Sequence, residues 1–428
     1  MTHFGLICPA ATGHLNTMLP LGKELQNRGH QVTLFGFSDA ESKTLAAGLE
    51  FRAIGESEFP RGVRTESLAK LGEMSGLAAF QYTVNLLKEG ANVMLRDAPP
   101  AIKEAGVDAL LVDQVMPEGG TVADFLRLPF ITICSAVVLN REESLPPFLT
   151  NWRYSTAWWA QLRNRVGYKL LDRIAKPIRE VIADYRREWK LPPHFSANEG
   201  YSRLAQISQQ PAQLEFPRQY LPQWFHFTGP YHSPTGREIP DFPDEKLTGQ
   251  PLIYASMGTV QNRLLGIFKS IAEACDDLDA QLVISLGGSA TPESLGSLPG
   301  NPLIVGYAPQ LELLKKATLT ITHAGMNTTL ESLNNGVPMV AIPVANDQPG
   351  IAARVAWAGA GEAVPLSRVN VPKLRTAIQK VLTEDSYKQN AIRLQKAIQR
   401  AGGVSRAIDI VEQAASTGKP VLVSQYTA

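Results

Sequence analysis

Phe4-Gly5-Leu6-Ile7-Cys8-Pro9, Ala11-Thr12-Gly13, Leu15 to Asn27 and Gln31-Val32-Thr33-Leu34-Phe35 follow one another at the start of the chain, and their reading decides the fold. The first run is short, apolar and stopped by Pro9, like a strand buried on both faces of a parallel sheet. The second is a loop of small residues. Leu15, Met18, Leu19, Leu21, Gly22 and Leu25 then fall on one helical face. Gly29 ends that helix and a β-rich run begins the next strand. Strand, helix and parallel strand make a βαβ unit, which requires a sheet covered by helices.

Working outward, Ala109-Leu110-Leu111-Val112 and Phe130-Ile131-Thr132-Ile133 are further buried strands, with a helix predicted over Gly119 to Arg127. Such alternation gives an open, doubly wound α/β sheet. Seven prolines then crowd the stretch from Pro217 to Pro251, where few regular elements survive. A second α/β series follows: Leu252 to Ala255, Gln281 to Ile284, Leu303 to Val305, Thr320 to Thr322 and Met339 to Ile342. A chain of 428 residues favours two domains or more. The expected division is a Rossmann-like domain over 1–230, a linker over 231–249 and a second Rossmann-like domain over 250–400. A helical tail over 401–428 is expected to pack back on the first domain. Two similar halves around one linker suggest a ligand cleft between them.

Composition excludes several classes. A net charge of +1 argues against nucleic acid as the main partner. Cys8, Cys134 and Cys275 have no paired spacing, so neither a disulfide framework nor a zinc site is expected, and a reducing, cytoplasmic setting fits. The N-terminus lacks a basic region followed by a long apolar run, so no signal peptide is expected. No uninterrupted apolar window is long enough to span a bilayer. Residues 152–190 stand apart. They hold Trp152, Trp158, Trp159 and Trp189, with ten Lys/Arg against four Asp/Glu. Two readings are open: a helical segment in peripheral contact with an anionic membrane, or a solvated helical pair with a Trp-rich buried face.

The chemistry concentrates between 307 and 348. Thr322-His323-Ala324-Gly325-Met326-Asn327-Thr328-Thr329-Leu330-Glu331 runs from a β-branched strand into a helix. A histidine, glycine, asparagine and hydroxyls meet there at unpaired N–H groups and a positive dipole end, which suits a diphosphate. Tyr307, beside Ala308-Pro309, can stack on a base ring, and Gln310 can hydrogen-bond its edge. Glu331 can accept from two ribose hydroxyls; Thr328-x-x-Glu331 also fits a plain capping box. Asp347 and Gln348 can hold a sugar in the same way. Gly258 and Thr259, after the strand at 252–255, suit a backbone approach to phosphate. Ser285-Leu286-Gly287-Gly288-Ser289 reads as a turn, and Asp277-Leu278-Asp279 as a solvated helix end rather than a metal motif.

In the first half, His14 follows the first strand and Asp113 ends the strand at 110–112, so both reach the ligand-binding edge of the sheet. A neutral imidazole there can take a proton from an attacking hydroxyl, and a carboxylate on its other nitrogen fixes the tautomer. Each residue alone also fits a helix start or a cap.

Tyr307-Ala308-Pro309-Gln310, His323 to Thr328, Glu331, Gly336-Val337-Pro338 and Pro343-x-x-x-Asp347-Gln348 together resemble the donor signature of the UDP-dependent glycosyltransferases of the two-domain GT-B fold. Leu139-Asn140-Arg141-Glu142, Glu215-Phe216-Pro217-Arg218, Phe225 to Pro230 and Asp347 to Arg354 are similar to the branch of bacterial zeaxanthin glucosyltransferases. The resemblance implies transfer of a hexose, with glucose favoured, from a UDP-sugar to a hydroxyl of a lipophilic acceptor. It implies inversion and neither metal nor cofactor. It matches Tyr307, Ala308 (main chain) and Gln310 to uracil, His323, Asn327 and Thr328 to the diphosphate, Glu331 to ribose, and Asp347 and Gln348 to glucose. His14 and Asp113 match the catalytic base and its partner. Ala345 and Met326 stand where plant members carry tryptophan. A carotenoid-like acceptor is favoured, with phenolic, flavonoid and sterol acceptors open. The rivals are a UDP-sugar epimerase and a non-catalytic nucleotide-sugar or lipid-binding protein.

Overall fold

The computed structural model describes residues 1–231, 240–260, 262–288 and 290–423. Residues 232–239 of the proline-rich linker lie outside the described residues. The first sheet has seven parallel strands: β1 (His3–Ile7), β2 (Gln31–Gly36), β3 (Glu50–Ala53), β4 (Ala109–Asp113), β5 (Phe130–Cys134), β6 (Gln206–Ser208) and β7 (Phe225–Phe227), in the order β3-β2-β1-β4-β5-β6-β7. The second has six: β8 (Leu252–Ser256), β9 (Gln281–Ser285), β10 (Leu303–Val305), β11 (Ala317–Thr322), β12 (Met339–Ala341) and β13 (Gly361–Ala363), in the order β10-β9-β8-β11-β12-β13, also parallel. Most of the strands read from the sequence lie inside the sheets and are buried, whereas β10, also read from the sequence, is a half-buried edge strand. Short strands such as β6, β7 and β13 carry no long apolar run, so local sequence does not announce them.

Helices cover both sheets. In the first half these are α1 (Thr12–Asn27), α2 (Glu41–Ala46), α3 (Val63–Leu71), α4 (Gly76–Ala105), α5 (Pro117–Leu126) and α6 (Trp158–Glu188). In the second they are α7 (Leu265–Cys275), α8 (Gln310–Lys316), α9 (Met326–Asn334), α10 (Gln348–Trp357), α11 (Val371–Thr383), α12 (Asp385–Ala401) and α13 (Gly403–Thr417). The core under α1 takes Ala407, Ile408, Ile410 and Val411 from α13, and Arg28 reaches Asp409 and Glu412 at 2.8 Å each. The last helix thus belongs to the first domain's core.

One expectation needs correction. Residues 158–188 form a single helix, not a helical pair, and its tryptophans are not a buried face: Trp158 is 77% exposed and Trp159 52%. The buried positions are Ala160, Asn164, Tyr168, Ile178, Ile182 and Arg186, so the helical phase turns the first tryptophans outward. Trp189, at the far end, stacks on Phe125.

Both sheets reverse their strand order once, the first between β1 and β4 and the second between β8 and β11. Ligands of open α/β sheets bind in the crevice outside the strands' carboxyl ends at such a reversal. His14 follows β1, Asp113 ends β4, Gly258 follows β8 and His323 follows β11.

Candidate active site

One continuous cavity of about 1290 Å³ runs between the two reversals. A ligand pocket commonly measures about 300–1,000 Å³, so this one has room for two substrates. Of the residues singled out from the sequence, His14, Gly258, Thr259, Tyr307, Ala308, Gln310, His323, Gly325, Asn327, Thr328, Glu331, Asp347 and Gln348 all line it. Asp113 does not; it lies fully buried behind His14.

His14 sits in the first turn of α1, 24% exposed, with its Nδ1 2.8 Å from Asp113 Oδ2. Asp113 Oδ1 accepts from the Val115 N–H at 3.1 Å. Ser135, just past β5, donates to Asp113 Oδ2 at 2.6 Å and lies 2.8 Å from His14 Nδ1. The carboxylate therefore holds the Nδ1 proton and leaves the Nε2 lone pair able to accept one. Burial of the ring works against its protonation. The charge and hydrogen bond of Asp113, with a contribution from Asp347 in the other domain, outweigh this and raise the His14 pKa. Sequence reasoning missed Ser135. Its signal was available: a hydroxyl directly after a strand adjacent to β4 reaches the same edge.

Across the cleft, His323 is packed between two glycines. A Cβ on Gly258, whose φ is +76°, would come within 2.5 Å of the His323 ring, and one on Gly325 would also collide with it. Burial holds the His323 pKa down to about 4, although the ring donates to the Ser256 carbonyl. The ring is neutral at physiological pH. A diphosphate placed here would therefore meet the N–H groups opening α9 and its dipole rather than an imidazolium.

Gln310 and Glu331 hydrogen-bond each other. Gln310 Oε1 also accepts from the Tyr254 hydroxyl at 3.1 Å, and its amide nitrogen lies 3.3 Å from Thr328 Oγ1. The expected base-edge and ribose ligands are thus one hydrogen-bonded group. Tyr307 is 55% exposed and its ring lies directly over Gly288, where a Cβ would overlap it. The loop read as a plain turn is the floor beneath that aromatic. Asn262, absent from the sequence reading, donates to the carbonyls of Gly258, Leu286 and Gly287 at 2.8, 2.9 and 3.0 Å and ties the two glycine loops together.

Three of the expected ligands also have other engagements. Asn327 donates to the Gly13 carbonyl at 2.8 Å and accepts from Gln209 at 3.0 Å, so it bridges the domains. Asp347 Oδ2 accepts from the Val137 N–H at 3.2 Å. Burial raises the Asp347 pKa against the pull of that bond and of His14. Gln348 Oε1 accepts from the N–H groups of Val344 and Ala345 at 2.8 and 3.1 Å, shaping the loop from within.

The part of the cavity beyond His14 is apolar, with Phe80, Leu87, Met116, Phe148, Leu171 and Ile182 in its wall. Charged side chains also line this part of the cavity, and Glu118, Arg64 and Arg186 are the buried ones among them. Burial pushes the Glu118 carboxyl up to about 8. Arg64 lies over the rings of Phe37 and Phe59.

A family profile described as "UDP-glucoronosyl and UDP-glucosyl transferase" matches residues 5–401. The chain is 34% identical over 428 residues to a zeaxanthin glucosyltransferase of Pantoea ananas, covering 99% of this chain and 98% of that one. It is 31% identical to the enzyme of that name from Pseudescherichia vulneris, over 98% of this chain and all of the other. The crystal structure of the glycosyltransferase of kitacinnamycin superposes with a TM-score of 0.75 at 22% identity, covering 96% of this chain and 98% of that one. Two facing parallel sheets with ligand edges opposed, and a family match across nearly all of the chain, lead to one conclusion: this protein belongs to the UDP-glucuronosyl and UDP-glucosyl transferase family and is a GT-B glycosyltransferase.

Proposed function

We propose that this enzyme transfers glucose from UDP-glucose to a hydroxyl of a lipophilic, carotenoid-like acceptor, with inversion at the anomeric carbon and without a metal. The observation that carries the reading is the His14–Asp113 pair, set between the His323 donor region and an apolar chamber of the same cavity. The named activity of the two zeaxanthin glucosyltransferase relatives favours the acceptor class.

In the proposed step His14 Nε2 accepts the proton of the acceptor hydroxyl. The oxygen's electron pair forms the new bond to the anomeric carbon from the face opposite the diphosphate. The old bond breaks with its pair passing to the phosphate oxygen, and the N-terminus of α9 stabilises that charge. Asp113 stabilises the imidazolium as it forms, and Ser135 orients the carboxylate. The reaction would take place in the reducing cytoplasm.

A panel of carotenoid, sterol and phenolic alcohols with UDP-glucose, read by mass shift, tests the substrates. A hexose gain on the carotenoid alcohol supports the proposal; gain on phenols or sterols alone replaces the acceptor class. UDP release without any alcohol, or sugar epimerisation, would sink the transferase reading. His14→Ala should bind UDP-glucose normally yet lose roughly 10²–10⁴-fold in turnover; near-normal turnover would remove His14 as the base.

A further inference from the structure

The first half of α6 presents a surface that the transfer reaction does not use. Trp158, Trp159, Leu162, Val166 and Leu170 are 77%, 52%, 53%, 61% and 54% exposed. They form a stripe along the outward side of a helix whose opposite side is buried through Ala160, Asn164 and Tyr168. The other exposed positions between 158 and 176 are Arg165, Lys169, Arg173 and Lys176. The one acid in that span, Asp172, is half-buried and held by Arg141 at 2.5 Å and Arg179 at 3.1 Å. Arg165 reaches Glu143 at 3.4 Å and Lys176 reaches Glu180 at 3.2 Å, exposed pairs of the weak kind. Past Lys176 the pattern stops: Glu180, Asp184 and Glu188 alternate with Arg179 and Arg187 on the exposed face.

We propose that residues 158–176 dock this protein on an anionic bilayer surface, with the apolar stripe in the headgroup boundary and the four basic side chains against lipid phosphates. An interfacial helix has this profile of bulky apolar residues with flanking Lys/Arg. Among the described residues no helix is long and apolar enough to cross a membrane, so the contact is peripheral. Charge selects this occupant over a second copy of the chain. A two-fold contact would bring the same basic flanks together, whereas an anionic surface complements them. The same helix walls the apolar chamber through Tyr168, Leu171, Ala175 and Ile178, and Lys176 belongs to both the exposed face and the cavity wall. A lipophilic acceptor dissolved in the bilayer would then reach the chamber along α6. This last point rests on the acceptor class proposed above; the docking itself does not.

The test is co-sedimentation of the full chain with phosphatidylcholine vesicles, with and without phosphatidylglycerol. Binding to the anionic vesicles that weakens as salt is raised is expected, together with a blue shift of tryptophan emission. Leu162→Glu/Val166→Glu/Leu170→Glu should abolish it, and Lys169→Glu/Arg173→Glu should weaken it by more than roughly tenfold. Both variants should keep the wild-type melting temperature and the wild-type kcat/KM with a water-soluble alcohol. Absence of wild-type binding, equal binding by the variants, or loss of self-association rather than of vesicle binding in sedimentation equilibrium would overturn the docking surface. Failure to bind vesicles with transfer intact leaves the proposed reaction standing; vesicle binding without any sugar transfer has the opposite meaning.

Discussion

The proton affinity of His14, the proposed base, is set by its neighbours. Its pKa is raised because Asp113 and Asp347 outweigh burial, and the neutral ring is the form that accepts a proton. The rate should therefore climb as pH rises through that raised pKa and level off above it. The stabilisation from the protonated ring runs the other way: it is full at acid pH and is lost as pH rises through the same value. Asp113→Asn leaves burial unopposed by the carboxylate, so the acid limb of kcat/KM should move to lower pH. The plateau should drop by roughly 10³-fold or more, because the amide no longer enforces the tautomer. A pH profile of both proteins checks this, and an unmoved limb assigns the titration to another group. His323 is a poor alternative, since its pKa lies near 4. Ser135→Ala should cost only about tenfold, since Val115 still donates to Asp113.

At the scale of elements, glycine loops rather than side chains shape the donor region. Gly258 combines a left-handed φ of +76° with a Cβ position already occupied by the His323 ring. Gly258→Ala should raise the KM for UDP-glucose at least about tenfold while leaving the fold intact. A donor titration with circular dichroism as control checks it; unchanged KM would mean the loop relaxes without moving His323. Gly288→Val should act through Tyr307, displacing the aromatic that is expected to stack on the base. Loss of UDP affinity comparable to that of Tyr307→Ala is the expected outcome.

At the scale of the molecule, the two domains are joined by a buried ion pair. Arg354 of α10 donates to Glu215 through Nε at 2.8 Å and reaches it through Nη2 at 2.7 Å, with both side chains 2% exposed. Gln210 donates to the second carboxylate oxygen at 2.9 Å, and the Arg354 guanidinium lies over the Phe216 ring. Glu215 and Arg354 come from two motifs noticed separately in the sequence, which prove to be partners. Arg354→Met leaves the buried Glu215 carboxylate with Arg218 as its remaining cation, 3.6 Å away, and should cost about 3 kcal/mol. Glu215→Gln/Arg354→Met should recover much of that. Urea denaturation of the wild type, both single variants and the double variant measures it, and additive losses would mean that the pair is not the coupling element. The proposed docking face of α6 belongs to this scale too, because it would orient the whole cavity toward a bilayer.

Much of this was legible in the chain. The βαβ opening, the central strands and the polar run from Tyr307 to Gln348 are local patterns, set by periodicity and by the chemistry of adjacent residues. Those patterns determined two α/β domains and a sugar-nucleotide signature in linear order. Other features depended on residues far apart in sequence. Ser135 joins His14 and Asp113 only because β5 lies beside β4. Asn262 matters only where two loops meet, and Asn327 crosses to Gly13 only when the domains face each other. The exposure of Trp158 and Trp159 follows from which side of α6 the rest of the fold covers. Sequence records the alphabet and period of each element. The base's tautomer, the neutrality of His323 and the outward stripe on α6 are decided by burial and by through-space charge, which only the packed tertiary structure determines.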